Sequence, residues 1–241
     1  MWQVSRAAQR APTLAEIKEK ALKPADAWWV VFVIDPIAVR ILWLLLRVAP
    51  GVAPNAVTSG SLALGLLAAA AFWQGRYGWG ALLFQLSFLL DCIDGKLGRL
   101  TGRSSPWGAF YDGFVNNVVF GANVLGLMAS APGDRRLAAA SALLLVVWAL
   151  HIHASEALRD DQRGVMHTHH RPAKGGWLER HRLLPPMTFP DKHALLFVAG
   201  PITGYVFHAV AAIALLDLMT LVPKVRTVFV RTARAPRSDA S

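Results

Sequence analysis

Residues 79–116 read WGALLFQLSFLLDCIDGKLGRLTGRSSPWGAFYDGFVN. Two apolar stretches, Trp79 to Leu97 and Trp107 to Ala129, flank a short polar connection, and acidic residues sit in both where they approach it. Each stretch is long enough for a helix that crosses a bilayer. Asp91 and Asp94 are three residues apart, about 60° around a helix, and Asp112 and Asn116 are four apart, about 40°, so each pair shares a face. A short connection makes the two helices neighbours, and four oxygen-bearing side chains then converge near one membrane interface. Carboxylates so close repel one another and are costly in a membrane. A divalent cation relieves both problems, and an all-oxygen donor set suits Mg²⁺ or Mn²⁺. Gly95, Gly98 and Gly108 allow a ligand or a second helix to approach closely. Arg99 offers a planar fork to a phosphate.

The rest of the chain repeats the apolar theme. Ala53-Pro54-Asn55-Ala56 is a break, after which Ala56 to Trp73 spans about 27 Å as a helix. Gln74 to Gly78 reads as a tight turn, and Leu137 to Ser155 as a fourth crossing. His193 to Val222, interrupted by Gly200-Pro201, is expected to hold two more, a tight fit in which the helices are short or extend into flanking sequence. Trp28 to Val48 is apolar but carries Asp35, Arg40 and Arg47, which fall broadly toward one side. That pattern favours an interfacial helix anchored by Trp28, Trp29 and Trp43 over a full crossing. Thr13 and Glu16 have capping-box spacing for a short helix to Leu22. The expected fold is all-α, a polytopic membrane bundle of about six transmembrane helices with an N-terminal interfacial helix. Its parts are an arm (1–27), the interfacial helix (28–50), a transmembrane catalytic domain (51–222) containing a polar loop (156–192), and a basic tail (223–241).

Composition agrees. Of 241 residues 54% are hydrophobic and only 17% charged, against the ~25% charged typical of soluble domains. The net charge is +10, but the basic residues lie between and after apolar runs, so no nucleic-acid partner is expected. With the arm inside, twenty Lys and Arg face the cytoplasm and three (Arg76, Arg135, Arg136) face out. This asymmetry predicts a cell-membrane protein with its N-terminus and acidic cluster on the cytoplasmic side. Cys92 is the sole cysteine, which rules out an intramolecular disulfide and a Cys-based zinc site. Met1 to Lys23 lacks the apolar core of a cleavable signal peptide.

The run Asp91-x-x-Asp94-Gly95-x-x-Gly98-Arg99, eight residues, Gly108-x-x-x-Asp112-x-x-x-Asn116 resembles the signature of the CDP-alcohol phosphotransferase family, with every spacing preserved. Pro54-Asn55 followed by Thr58 resembles the segment that opens the family's first membrane helix. The likeness covers Trp28 to Ala129 in motif and the remainder in hydropathy. It implies attack of an acceptor hydroxyl or phosphate on the β-phosphorus of a CDP-alcohol, CDP-diacylglycerol being the expected donor, with release of CMP. It further implies two metal ions held by Asp91, Asp94, Asp112 and the residue at 116, a nucleotide lying against Gly95, Gly98 and Gly108 near Asn55, Thr58 and Arg99, and a homodimer. Two departures stand out. Gly98 replaces the usual Ala, which is benign. Asn116 replaces the family's fourth Asp, a metal ligand and the favoured general base, and an amide cannot take a proton at neutral pH. Asn116 is thus an inactivating substitution, a natural residue with the proton handled by Asp112, by the surroundings of Asn117 or by the acceptor, or the mark of a catalytically inactive CDP-alcohol-binding protein. A fourth reading is a redirected site, a Mg²⁺-dependent prenyl-diphosphate transferase or cyclase with Trp107, Phe110, Tyr111 and Phe114 as pocket lining. Those aromatics read more simply as lipid or interface contacts. His167, His169 and His170 have a generic spacing that reads as solvated loop rather than zinc site. Arg159, Arg163, Arg171, Arg180 and Arg182 read as facing anionic head groups or substrate. His151 and His153 lie near the inner end of a crossing, within reach of the acidic cluster.

Overall fold

A computed structural model describes residues 12–160 and 176–234. The described residues are helical, with one isolated bridge between Asp26 and Leu183. Helix α1 (Leu14–Ala21) opens on the expected capping box: the Glu16 carboxylate accepts from the Thr13 backbone N–H at 2.6 Å. A π-helical turn (Val30–Ile34) then leads into α2 (Asp35–Val48). The long elements follow: α3 (Pro54–Trp73), α4 (Tyr77–Thr101), α5 (Pro106–Ala129) and α6 (Arg135–Asp160). After the short α7 (Trp177–Arg180), the helical segment of α8 (Phe189–Ala194), a second π turn and α9 (Gly200–Thr203) reaches a turn at Gly204, and α10 (Val206–Arg234) returns. Among the described residues, three helices are long and apolar enough to cross a membrane: Pro54–Trp73, Arg135–Leu158 and Val206–Arg231.

Proline and glycine place the boundaries. Pro54 and Pro106 occupy first turns, where the missing N–H is no loss. Gly102 closes α4 at φ +64°, a conformation open to glycine at little cost. The Ser105 hydroxyl caps α5 by accepting from the Gly108 N–H at 3.0 Å.

Helix α3 lies against both α4 and α5, and small residues make this approach close. A Cβ at Gly65 would fall 2.5 Å from Val119, and one at Gly126 would fall 2.5 Å from the Ala69 carbonyl oxygen. Hydrogen bonds fasten the seams, as expected where hydrophobic force between spanning helices is weak. Ser61 and Ser87 each donate to the other's carbonyl at 2.9 and 2.7 Å, and Asn123 Nδ2 donates to the Gly65 carbonyl at 3.0 Å. One apolar core joins α3, α4, α5 and α6 to α10 through residues such as Phe72, Phe120, Leu144 and Phe197. A second packs α1 and α2 on the far end of α4 through Ile17, Ile34, Leu42 and Ile93.

One expectation is corrected. Asp35 does not share a side with Arg40 and Arg47. Both arginines are exposed, Arg47 lying over Trp43, whereas Asp35 is buried against α4. Helix α10 carries Pro223 in its interior and runs on to Arg234. Helix extends past both bounds of the apolar run His193 to Val222, beginning at Phe189 and ending at Arg234.

Candidate functional site

The motif residues meet where α4 ends and α5 begins. Asp91, Asp94 and Asp112 each place a carboxylate oxygen within 4.8 Å of the other two. Each is held differently. Asp94 is buried, and its Oδ2 accepts a 2.6 Å hydrogen bond from Thr58 Oγ1 on α3. Asp112 Oδ1 accepts from Asn116 Nδ2 at 2.9 Å, one helical turn on. Asp91 Oδ1 is buried with no hydrogen-bond partner among the described residues. A buried carboxylate oxygen without a donor is costly, and three carboxylates in contact repel. This donor set fits a divalent cation: oxygen ligands only, from two helices fixed by a third, with one oxygen waiting for a partner.

The motif glycines differ from the packing glycines. At Gly95 a Cβ would meet only Arg99 Nη1, at 3.5 Å, and at Gly98 only Ser104 Oγ, at 3.3 Å. At Gly108 it would meet Asn55 Oδ1 and Ser105 Oγ, both at 3.2 Å. Only polar side-chain tips lie near a Cβ at these three positions, so helix packing does not demand glycine there. Thr58 touches Asp94, Asn55 lies beside Gly108, and the Arg99 tip lies beside Gly95. Arg99 also has a structural duty. Its Nε donates to the Ala21 carbonyl at 2.9 Å and ties the end of α1 to α4.

Three charged residues brace this end of α4, and Arg182, expected to face head groups or substrate, is turned instead to Asp35 and the Lys23 carbonyl. Lys96, inside the motif, is 3% exposed and lies 2.9 Å from Asp35 Oδ1, and Arg182 Nη2 lies 3.3 Å from Asp35 Oδ2. Arg182 also donates to the Lys23 carbonyl at 2.8 Å, and Asp26 exchanges backbone hydrogen bonds with Arg182 and Leu184. A lone acid in an apolar stretch is the signal that finds Asp35, and the same signal finds Asp217, whose carboxylate pairs with Lys192.

Of the secondary candidates, His151 sits with its Nε2 2.8 Å from the Asp217 carbonyl oxygen, and His153 is exposed. Trp107, Phe110 and Phe114 form an exposed stacked row, with Trp107 parallel to Tyr111 within 11°. His167, His169, His170, Arg163 and Arg171 lie outside the described residues.

The sequence profile of the CDP-alcohol phosphatidyltransferase family matches residues 51–222. Two curated relatives match in part. Phosphatidylinositol phosphate synthase of Streptomyces avermitilis is 37% identical over 73 residues, 30% of either chain. Cholinephosphotransferase 1 of Gallus gallus is 41% identical over 83 residues, 29% of this chain and 24% of the relative. The matches thus span less than a third of those relatives. Among solved structures, Mycobacterium tuberculosis phosphatidylinositol phosphate synthase with CDP-DAG bound superposes with a TM-score of 0.63 at 21% identity, over 86% of this chain and 98% of that one. The same enzyme in complex with manganese and citrate gives 0.63 and 21% over 85% and 93%. At that identity the likeness is one of fold.

Proposed function

Because the chain belongs to the CDP-alcohol phosphatidyltransferase family, we propose that it is an integral membrane transferase that moves a phosphatidyl group from CDP-diacylglycerol to an acceptor alcohol. The oxygen of the acceptor forms a bond to the β-phosphorus, the bond from that phosphorus to the bridging oxygen breaks, and CMP leaves with the electron pair. The observation that carries this reading is the convergence of Asp91, Asp94 and Asp112 within 4.8 Å, with Asp91 Oδ1 buried and unpartnered. Asp91, Asp94 and Asp112 would hold Mg²⁺ or Mn²⁺, two ions in this reading, which would supply positive charge to the diphosphate and the departing nucleotide. Thr58 fixes the direction of Asp94, and Asn116 fixes that of Asp112. Asp112 receives the acceptor's proton, since Asn116 cannot. The nucleotide lies along Gly95, Gly98 and Gly108, beside Asn55 and the free end of Arg99. The site faces the cytoplasm from the cell membrane, within a catalytic domain spanning 51–222.

A second reading, binding of a CDP-alcohol without turnover, draws on the same Asn116–Asp112 hydrogen bond, which occupies an oxygen of the one remaining candidate base. CMP release separates the two. The purified chain is supplied with Mn²⁺, CDP-diacylglycerol and a pool of alcohols and phosphorylated alcohols, beside an Asn116→Asp variant. Release by the chain as it stands supports transfer without a fourth carboxylate. Release by the variant alone makes Asn116 the inactivating residue, and silence from both sinks the transferase reading for this donor.

A further inference from the structure

Position 116 faces the triad with the wrong sign for a metal ligand. Asn116 Nδ2 lies 2.9 Å from Asp112 Oδ1. Opposite a carboxylate oxygen an amide presents its N–H group and not its carbonyl. The positive end of the amide dipole therefore points at the cluster whose carboxylate oxygens lie within 4.8 Å of one another. Turned over, Asn116 would offer a carbonyl oxygen, but that brings no charge and strips Asp112 of its hydrogen bond.

Charge then limits how many cations the chain can hold. Three carboxylates answer one divalent ion with a negative charge to spare, whereas two divalent ions leave a positive charge over. The Arg99 tip beside Gly95 adds to that excess, and Lys96 is turned away to Asp35. No fourth acidic residue joins the group among the described residues. Unanswered charge in a poorly solvated membrane site is costly. One ion, by contrast, is well provided for. Asp91 Oδ1 is buried without a hydrogen-bond partner among the described residues, and Thr58 fixes Asp94 through a 2.6 Å hydrogen bond.

The missing charge resides in the donor. The diphosphate of a CDP-alcohol brings two negative charges on oxygens of the kind that Mg²⁺ and Mn²⁺ prefer.

We propose that this chain on its own retains a single divalent ion at Asp91, Asp94 and Asp112, and that the second enters only together with the diphosphate of a CDP-alcohol. Metal and donor then bind cooperatively, each tightening the other by the same factor. The inference rests on the transferase reading above and deepens it, for it makes completion of the site wait for the donor.

The test counts bound Mn²⁺ by electron paramagnetic resonance on the full chain in nanodiscs, with and without CDP-diacylglycerol and with no acceptor present. Protein-free nanodiscs of the same composition give the background. One tightly held ion per chain is expected without donor and two with it, the affinity for the second rising about tenfold or more. In Asn116→Asp the added carboxylate supplies the missing charge, and the second ion is expected without donor. Broadening of the phosphorus resonance lines of the diphosphate by Mn²⁺, beyond that in protein-free nanodiscs, reports separately whether the donor reaches the triad. Two ions on the unsubstituted chain without donor overturn the inference. One ion with and without donor, while the lines broaden, also overturns it and leaves the transferase reading standing. One ion with no broadening means that the donor does not come to the triad, and both fall. A folded Asn116→Asp that holds one ion without donor overturns the inference likewise. If that variant does not fold, the counts on the unsubstituted chain decide alone. Uptake of the second ion with the donor, but no CMP once acceptors are added, sinks transfer and leaves the inference in place.

Discussion

Thr58 and Asn116 each direct one carboxylate of the triad through a single hydrogen bond, at 2.6 and 2.9 Å. Groups that orient a metal ligand in this way commonly account for about 10–100-fold in metal affinity. Thr58→Val preserves shape and deletes the hydroxyl, so Mn²⁺ affinity measured by electron paramagnetic resonance should weaken by about tenfold or more. Asp91→Asn should remove high-affinity binding altogether, because it replaces the ligand whose Oδ1 has no other partner. Equal affinities in wild type and Thr58→Val would mean that Asp94 is held by packing alone. Asn116 supports a test with opposite signs. Its amide now donates to Asp112, and an aspartate there would set a fourth negative charge against the other three. In chelator, Asn116→Asp should lower the unfolding temperature, since like charges repel in a poorly solvated site. With Mn²⁺ added, the same variant should gain more stability than wild type. A variant that is indifferent to Mn²⁺ would show that position 116 does not reach the ion.

At the scale of elements, the end of α4 is braced by charge and the middle of α3 by the absence of side chains. Lys96, Asp35 and Arg182 join α4, α2 and the segment after α7 in one buried ion-pair network. Removing one member of a buried pair typically costs about 3–5 kcal/mol, because the other charge is left behind, whereas replacing both is often neutral. Lys96→Met should therefore unfold in detergent well below wild type, and Asp35→Leu with Lys96→Met should recover most of the difference. Recovery would fail if Arg182 depended on Asp35 for its own desolvation. On the α3 side, a methyl at Gly126 would press on the Ala69 carbonyl, whereas at Gly121 it would meet nothing within 4 Å. Gly126→Ala should destabilise by about 1–3 kcal/mol, and Gly121→Ala should not, as thermal unfolding would record. These elements also mark what could be read from residues in order. The helices were legible because apolar runs end at Pro54, Gly102 and Pro106, and the triad was legible because its spacings fall within single helices. The partners of Asp35 were not: they lie far along the chain, at 96 and 182, and the rotation of one helix against another is set by packing that a lone sequence does not display. The same holds for Asp217. The run of α10 through Pro223 was hidden for another reason, since proline usually ends a helix in water but is tolerated in membrane helices where neighbours satisfy the freed backbone.

Taken whole, the bundle sorts its turns to two ends. The turn at 74–76 and the turn at 130–134 lie together, joined by a 3.0 Å contact between Tyr77 Oη and Ser130 Oγ. The turn at 102–105, reached from either by crossing the bundle along α4 or α5, adjoins the triad, with Arg103 beside the Gly51 and Val52 carbonyls and Arg99 bound to α1. Basic residues follow the same division. Arg76, Arg135 and Arg136 belong to the first end, while Lys18, Lys20, Lys23, Arg99, Arg103 and Arg182 belong to the second. Excess Lys and Arg mark the cytoplasmic side, so the end that holds the carboxylates should face the cytoplasm. Cys92→Ser removes the only native thiol and leaves a background on which single cysteines report sidedness. In intact cells, a membrane-impermeant maleimide should label Arg76→Cys and Arg135→Cys and spare Arg103→Cys until the membrane is opened. The reverse pattern would invert the orientation and place the triad outside. That outcome would also bear on chemistry, since a nucleotide-activated donor made in the cytoplasm could not reach an outward-facing site without first being carried across. Labelling of all three in intact cells would instead mean that the connection at 102–105 does not lie behind the bilayer, and that the bundle does not cross the membrane as its hydropathy and antiparallel packing require.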